Sequence, residues 1–294
     1  MRTVFLGTSD FAVRVLERLA ASPHAPVLVL TRPDRPRGRG RRVAAPPVAE
    51  AAARLGLELA QPENVNADPA GALIAGARPD AVIVCAFGAL IRDPLLNAHP
   101  MINVHPSLLP RWRGAAPVER AIMAGDERTG VAIIALTEGL DSGPVYAMAD
   151  EPIAAEDTYG ALAPRLAARG AELLVEVFDR WPVSAAPQGE AGVSYAEKIT
   201  AEDRRLDVRR SAAELERVVR ALSPHIGAFA ELAGGERLGV LAAQARPEGP
   251  SAGDVLTLDG RPVLGTGAGG LELVTVQPPG RRAMAGADWL RGHR

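Results

Sequence analysis

Hydrophobic and polar positions alternate along this chain in blocks, and the period within the blocks changes in a regular way. Thr3-Val4-Phe5-Leu6-Gly7 is a short apolar run ending in glycine. The polar trio Thr8-Ser9-Asp10 follows, then Val13, Val15, Leu16 and Leu19 on an amphipathic stretch. That order predicts a strand, a turn and a helix capped by Ser9 or Asp10. The alternation recurs with Val27 to Leu30 as a strand, a polar loop, an Ala-rich helix over Val48 to Leu55, and strands at Ala81 to Cys85 and Met101 to Val104. Strands that are apolar throughout, alternating with helices, predict an α/β class built on a mostly parallel sheet covered on both faces. Val131 to Leu136 and Val145 to Ala149 read as two further strands. Leu162, Leu166, Leu173, Leu174 and Val177 then put one apolar face on a helix from Thr158 to Phe178.

The pattern changes after Trp181. The stretch WPVSAAPQGE holds Pro182 and Pro187 and predicts an extended linker. Beyond it come one helix, Ala212 to Leu222, and short strands at Ala228 to Leu232, Arg237 to Ala242, Asp254 to Leu258, Pro262 to Leu264 and Leu271 to Val276, punctuated by glycines. Several short strands at regular spacing predict a small β-barrel, with an OB-like barrel as one option. The expected organisation is one domain over 1–183, a linker over 184–203 and a smaller domain over 204–294.

Composition narrows the class. At 294 residues the chain is too long for one ordinary core, and 47% hydrophobic with 23% charged residues excludes wholesale disorder. The single cysteine, Cys85, excludes an internal disulfide and a cysteine-built zinc or iron–sulfur site. No run approaches the roughly 20 apolar residues of a membrane-spanning helix, and the opening MRTVFLGTSDF is too short an apolar run for a signal peptide. A cytoplasmic protein away from the membrane is expected. Net charge is −2, so any affinity for phosphates must come from a local patch.

One such patch is present. Arg32, Arg35, Arg37, Arg39, Arg41 and Arg42 stand against the lone Asp34 and are interleaved with Pro and Gly. Those interruptions disfavour a regular helix or strand and predict an irregular cationic loop. Its place after a strand, where α/β ligands bind, points to nucleic acid or polyphosphate. The turn Gly7-Thr8-Ser9-Asp10-Phe11 lies where a dinucleotide fingerprint would, but lacks the second and third glycines, so nicotinamide chemistry is not expected.

The densest chemistry lies in Ile102-Asn103-Val104-His105-Pro106-Ser107-Leu108-Leu109-Pro110-Arg111-Trp112-Arg113-Gly114-Ala115-Ala116-Pro117. Positions 103 and 105 of a strand point to the same side, so an amide and an imidazole emerge together at its end. The pair supplies a donor for an oxyanion and a group for proton transfer. Asp141, in Glu138-Gly-Leu-Asp-Ser-Gly-Pro144, is the candidate third member, a carboxylate between two glycines. A structural histidine and an aspartate favoured by its turn remain the alternative on spacing alone. No His and carboxylate cluster has metal-ligand spacing, and no metal is expected.

The NVHPSLLPRWRGAAP run, the GLDSGP turn and the TRPDRPRGRGRR loop together resemble the folate-dependent formyltransferases, and within them the methionyl-tRNA formyltransferase family. The likeness extends from GTSDF through AEDTYGAL, YAEKI and ELERVVRALSP to QPPGRRAM. One departure is Pro224-His225-Ile226-Gly227, where the family more often has an aromatic after the proline. The resemblance implies a Rossmann-like catalytic domain followed by an OB-like tRNA-binding domain. It also implies transfer of a formyl group from 10-formyltetrahydrofolate to the α-amino group of methionyl-initiator-tRNA. Asn103, His105 and Asp141 then become the catalytic residues. Ser107, Leu108, Leu109 and Pro110, with Phe87 and Gly88, line the folate pocket, and the six arginines of 32–42 contact tRNA. A monomer is expected. A formyltransferase acting on an amino-sugar nucleotide and a non-catalytic tRNA-binding protein are the competing readings.

Overall fold

The computed structural model describes residues 1–37, 42–232 and 235–292. In chain order the first elements are β1 (Thr3–Gly7), α1 (Asp10–Ala20), β2 (Pro26–Leu30), β3 (Arg35–Arg37), β4 (Arg42–Ala44), α2 (Pro47–Leu55) and β5 (Leu59–Ala60). They continue with α3 (Asp68–Gly76), β6 (Ala81–Cys85), α4 (Leu95–Ala98), β7 (Met101–His105), β8 (Arg113–Gly114) and α5 (Pro117–Ala124). β9 (Arg128–Ala135), β10 (Val145–Pro152), α6 (Tyr159–Asp179) and β11 (Tyr195–Ala196) follow.

Seven strands form one sheet in the order β10-β9-β7-β6-β1-β2-β5. Strands β1, β6 and β7 are buried at every position, which is why they carry no polar face and pair in parallel under helices on both sides. Register places Leu6 beside Val84 and Val84 beside Asn103, so the carboxyl ends of the three central strands lie along one edge. β9 runs antiparallel to β7 and sets Ile134 opposite Asn103 and Ala132 opposite His105. Val4, Leu6, Leu28, Leu30, Val82 and Val84 fill one apolar cluster with Ile74, Phe87, Leu95 and Leu96. Each such side chain contributes about 1.5–3 kcal/mol on burial, so the sheet edge is a rigid base for the polar groups beyond it.

Two expectations are corrected here. Ser9 occupies the N-cap position of α1, but its hydroxyl makes no capping bond and is buried without a hydrogen-bond partner. Among the described residues the arginine segment is not wholly irregular: β3 and β4 pair as an antiparallel ribbon, Arg35 with Ala44 and Arg37 with Arg42. Pro36 is tolerated because a two-stranded ribbon leaves one side of each strand unpaired, where no N–H is needed. Arg39 and Arg41 lie outside the described residues.

The remaining elements are α7 (Ala201–Arg204), α8 (Ala212–Leu222), β12 (Ala228–Glu231), β13 (Arg237–Arg246), β14 (Val255–Leu258), β15 (Arg261–Gly265), β16 (Gly270–Gln277), β17 (Met284–Ala285) and α9 (Gly286–Arg291). Their strands make a separate antiparallel sheet in the order β12-β13-β16-β15-β14, with β17 on β16. The path ends at β12 and β14, with no ladder joining them among the described residues. β13 runs four residues beyond the expected Ala242 because its register shifts around Ala242 let it bend and keep pairing. Ser211 and Glu214 form a reciprocal capping box on α8, whose Leu215, Val218, Val219 and Leu222 pack with Leu238, Val240, Leu271, Leu273 and Trp289.

The compact units group the chain differently from one cut near the linker. One holds Met1–Gly114, Thr129–Glu151 and Ala163–Tyr195; the other holds Ala115–Arg128, Pro152–Leu162 and Ala196–Arg294. Long-range polar pairs hold the two early stretches in the second unit. Arg120 binds Asp203 at 2.6 Å, Glu119 accepts from His225 Nε2 at 3.0 Å, and Arg220 donates to the Asp157 carbonyl at 2.8 Å. The His225 ring stacks on Tyr159 with centroids 3.6 Å apart, so an imidazole supplies the flat face after Pro224.

Candidate active site

Asn103 and His105 leave the carboxyl end of β7 on the same side of the sheet, buried to 9% and 4% exposure. The turn after β9 brings Asp141 to meet them. Asn103 Nδ2 donates to Asp141 Oδ1 at 3.1 Å, and the Gly114 amide donates to Oδ2 at 2.9 Å. His105 Nδ1 stands 3.6 Å from the same Oδ2, too long for a hydrogen bond but close enough for the carboxylate to favour a positive charge arising on the ring. The other ring nitrogen, Nε2, lies 2.9 Å from the Trp112 carbonyl. A carbonyl only accepts, so Nε2 carries the hydrogen and the neutral ring keeps its free lone pair on Nδ1.

This arrangement leaves chemistry available. An Asn side-chain amide has two N–H groups, and Asp141 takes one, so the second is left to bind an oxygen on a reacting group. Asp141 receives two donors and holds its carboxylate beside the imidazole. The backbone around the cluster is held in costly conformations: Asp141 has φ 44°, Trp112 φ 64° and Ala86 φ 44°. Left-handed non-glycine residues cost about 1–3 kcal/mol each and persist where neighbouring structure fixes them. Here Gly143 makes the turn possible, because a Cβ at that position would lie 1.8 Å from the Ala135 carbonyl oxygen of β9.

The other expected residues divide into two groups. Ser107 is fully buried, and its hydroxyl donates to the Arg111 carbonyl at 2.7 Å, which braces the loop after β7. Leu109 belongs to a small core cluster with Ala132 and Ile134, whereas Leu108 and Pro110 are half-buried. Phe87 is buried, and its carbonyl accepts from Thr8 Oγ1 at 2.8 Å. Gly88 beside it is exposed, with φ 77° and open space where a side chain would stand. Of the arginines, Arg32 is half-buried in the segment after β2, and Arg35 is exposed and pairs with Glu63 at 3.6 Å. In the β3–β4 ribbon the backbone of Arg37 pairs in register with that of Arg42.

One participant was not legible in the sequence. Gln188, inside the Pro-rich stretch read as a plain linker, donates through Nε2 to the carbonyls of Asp141 and Gly143 at 2.8 and 2.9 Å. Its Oε1 accepts from Arg113 Nη2 at 2.7 Å and Nε at 3.1 Å. Ser194 joins it by accepting from the Trp112 amide at 3.0 Å. A glutamine and a serine among prolines and glycines carry no periodic or motif signal, so only the folded contacts reveal them.

No group of three His, Cys, Asp or Glu side chains able to hold a metal ion occurs among the described residues. Among the same residues no helix is long and apolar enough to cross a membrane. Burial pushes the Cys85 thiol far above its ordinary value, so it stays a neutral core group at the end of β6.

The family model described as formyl transferase matches residues 1–178, and the one described as formyl transferase, C-terminal domain, matches 198–294. A methionyl-tRNA formyltransferase of Halorhodospira halophila is 46% identical over 302 aligned residues, covering 100% of this chain and 96% of its own. One from Ruegeria pomeroyi is 43% identical, covering 99% and 97%. Among solved structures, HypX from Aquifex aeolicus in complex with tetrahydrofolic acid has TM-score 0.68 at 20% identity, over 99% of this chain and 47% of that one. An N-formyltransferase from Helicobacter canadensis, in complex with folinic acid and dTDP-3-aminofucose, has TM-score 0.68 at 14% identity, over 93% and 98%. These last two show the shared fold. With a model match over more than half its length and relatives above 40% identity along nearly all of it, the chain belongs to the formyl transferase family.

Proposed function

We propose that this chain transfers the formyl group of 10-formyltetrahydrofolate to the α-amino group of methionine esterified to initiator tRNA. The cluster of Asn103, His105 and Asp141 at the end of β7 carries the reading, since it offers one group for each step that formyl transfer between nitrogens requires. The acceptor comes from the relatives, which are named methionyl-tRNA formyltransferases and align over 99–100% of this chain.

In the reaction a neutral amine attacks the formyl carbon, and negative charge builds on the formyl oxygen. The free N–H of Asn103 Nδ2 meets that charge, a contribution typically worth about 10²–10³ in rate. The bond from the formyl carbon to the folate nitrogen then breaks, and the proton lost by the amine must reach that nitrogen. His105 Nδ1 relays it, a role commonly worth about 10²–10⁴-fold. Asp141 holds Asn103 in place and stabilises the imidazolium that forms while the proton is in transit.

Phe87 and Gly88, with the loop Ser107 to Pro110, line the folate side of the site, where α/β sheets usually bind ligands. Arg32, Arg35, Arg37, Arg39, Arg41 and Arg42 hold the acceptor stem through its phosphates, a task suited to the forked guanidinium. Residues 1–183 carry the catalysis and 204–294 add tRNA contacts. The enzyme works as a cytoplasmic monomer and takes no metal.

The test is formylation of Met-tRNA from 10-formyltetrahydrofolate, comparing initiator with elongator tRNA and a water-only control. Rapid formylation of the initiator alone is expected. Consumption of the donor without a tRNA product would replace the acceptor, with amino-sugar nucleotides next, and no consumption at all would favour a binding protein.

A further inference from the structure

We infer that Gln188 is a positioning residue that sets the Asp141 carboxylate for the transfer. The inference deepens the proposed function and rests on that reading for its kinetic test.

The turn carrying Asp141 has two problems to solve. Its aspartate sits at φ 44°, a conformation that a side chain disfavours, and its carbonyls at Asp141 and Gly143 point away from the strand ladders. One side-chain amide answers both. Gln188 Nε2 has two hydrogens, and each goes to one of those carbonyls, at 2.8 and 2.9 Å. The donor set is used up, so the turn is clamped at the residue before and the residue after Ser142. On the other side, Oε1 accepts both Nε and Nη2 of Arg113, and the next residue, Gly114, donates its amide to Asp141 Oδ2 at 2.9 Å. Gln188 therefore ties the turn that carries the carboxylate to the loop that supplies one of its two donors. The ring closes through Asp141 itself, whose other oxygen holds Asn103.

Glutamine is specific here. Two donors and a double acceptor on one planar head are required, and glutamate offers acceptors only. The Glu variant keeps and strengthens the Arg113 pair but sets a carboxylate oxygen against two carbonyl oxygens. The Leu variant loses all four bonds at similar volume. The two variants separate anchoring of the turn from anchoring of the loop.

Misplacement of a catalytic group by about 1 Å can cost on the order of 10²-fold in rate. Gln188→Leu and Gln188→Glu are expected to lower kcat by about 10- to 100-fold, with KM for both substrates within about 2-fold of wild type, in the full-length enzyme. In an Asp141→Asn background, Gln188→Leu should cost less than about 2-fold further, because residues acting through one another are not additive. A merely structural role predicts equal cost in both backgrounds. A wild-type-like Gln188→Glu would also overturn the inference, since only the Arg113 link would then matter.

A second measurement stands apart from turnover. Amide hydrogen exchange at Gly114 reports whether the carboxylate stays on its donor. Exchange there should quicken by about 10-fold or more in both variants while the Val104 amide in β7 is unchanged. If wild type fails to formylate Met-tRNA, the proposed function falls and the exchange result still decides the role of Gln188. Unchanged protection at Gly114 would refute it.

Discussion

Replacing Asn103 by alanine removes a single amide from the site and tests how much of the chemistry depends on it. Two losses can be worked from the geometry. The free N–H no longer meets the formyl oxygen, which by analogy with other oxyanion donors costs about 10²–10³ in rate, or about 2.7–4 kcal/mol. Asp141 Oδ1 also loses its donor at 3.1 Å, and the Asp141 side chain is only 11% exposed, so solvent replaces that bond poorly. Leaving a buried charged acceptor short of a partner costs about 1–3 kcal/mol of stability. At about 2–4 °C per kcal/mol for a chain of this size, the Tm should fall by several degrees while the fold persists. Asn103→Asp adds a third loss to these two. It removes both N–H groups and sets a second carboxylate about 3 Å from the first, where like charges oppose each other. The expected order in both turnover and Tm at neutral pH is wild type, then Ala, then Asp. Single-turnover formylation with saturating Met-tRNA reads the first loss, and thermal unfolding reads the second. Turnover of Asn103→Ala within about threefold of wild type, or an Asp variant that outperforms Ala, would refute the oxyanion assignment.

The sequence made the sheet legible because parallel strands must be apolar throughout. β1, β6 and β7 begin and end within a residue of the expected runs, and the helix over Ala212 to Leu222 matches α8 at both ends. The catalytic pair was legible for a similar local reason, since period-two alternation puts residues 103 and 105 on one side. Asp141 was harder, because its partners are 38 positions away for Asn103 and 27 for Gly114, and glycines on both sides were the only local sign. The arginine segment misled because Pro and Gly argue against strands in general, whereas a two-stranded ribbon asks little of its edges. Gln188 and the two early stretches of the second unit were invisible. Their contacts join residues such as Arg120 and Asp203, 83 positions apart, through hydrogen bonds that leave no periodic trace.

Three further outcomes are expected. The Arg120 guanidinium, with help from Thr200, holds the Asp203 carboxyl at about 2, below its ordinary 3.8. A depressed folded-state value contributes stability above about pH 4 that disappears as pH falls toward 2, so Asp203→Asn should lower Tm at pH 7 by an amount worth about 2 kcal/mol or less and flatten the acid limb; a variant with an unchanged acid limb would count against the pair. Neutralising Arg39, Arg41 and Arg42 should raise KM for tRNA and reduce the slope of log KM against log salt by roughly 0.7–0.9 for each phosphate left without its arginine, and an unaltered slope would make the segment a bystander. The third concerns the two glycines that flank Asp141. A Cβ on Gly139 would meet only the Ser142 side chain, whose hydroxyl can rotate away, but one on Gly143 would meet the carbonyl carbon and oxygen of Ala135, at 2.9 and 1.8 Å. Ala135 cannot yield, since it pairs with Ile102 across the β7–β9 ladder and its amide binds the Pro144 carbonyl at 2.9 Å. In Gly143→Ala the turn must therefore move outward and carry Asp141 off the Gly114 amide and Gln188. Overpacking of this kind costs about 1–3 kcal/mol in stability. Its cost in kcat should exceed that of Gly139→Ala by at least about tenfold, because the displaced atom is a carboxylate oxygen held by the Gly114 amide. Thermal unfolding and steady-state formylation on the two variants side by side decide it, and equal behaviour would mean that the approach to Ala135 does not set the position of the carboxylate.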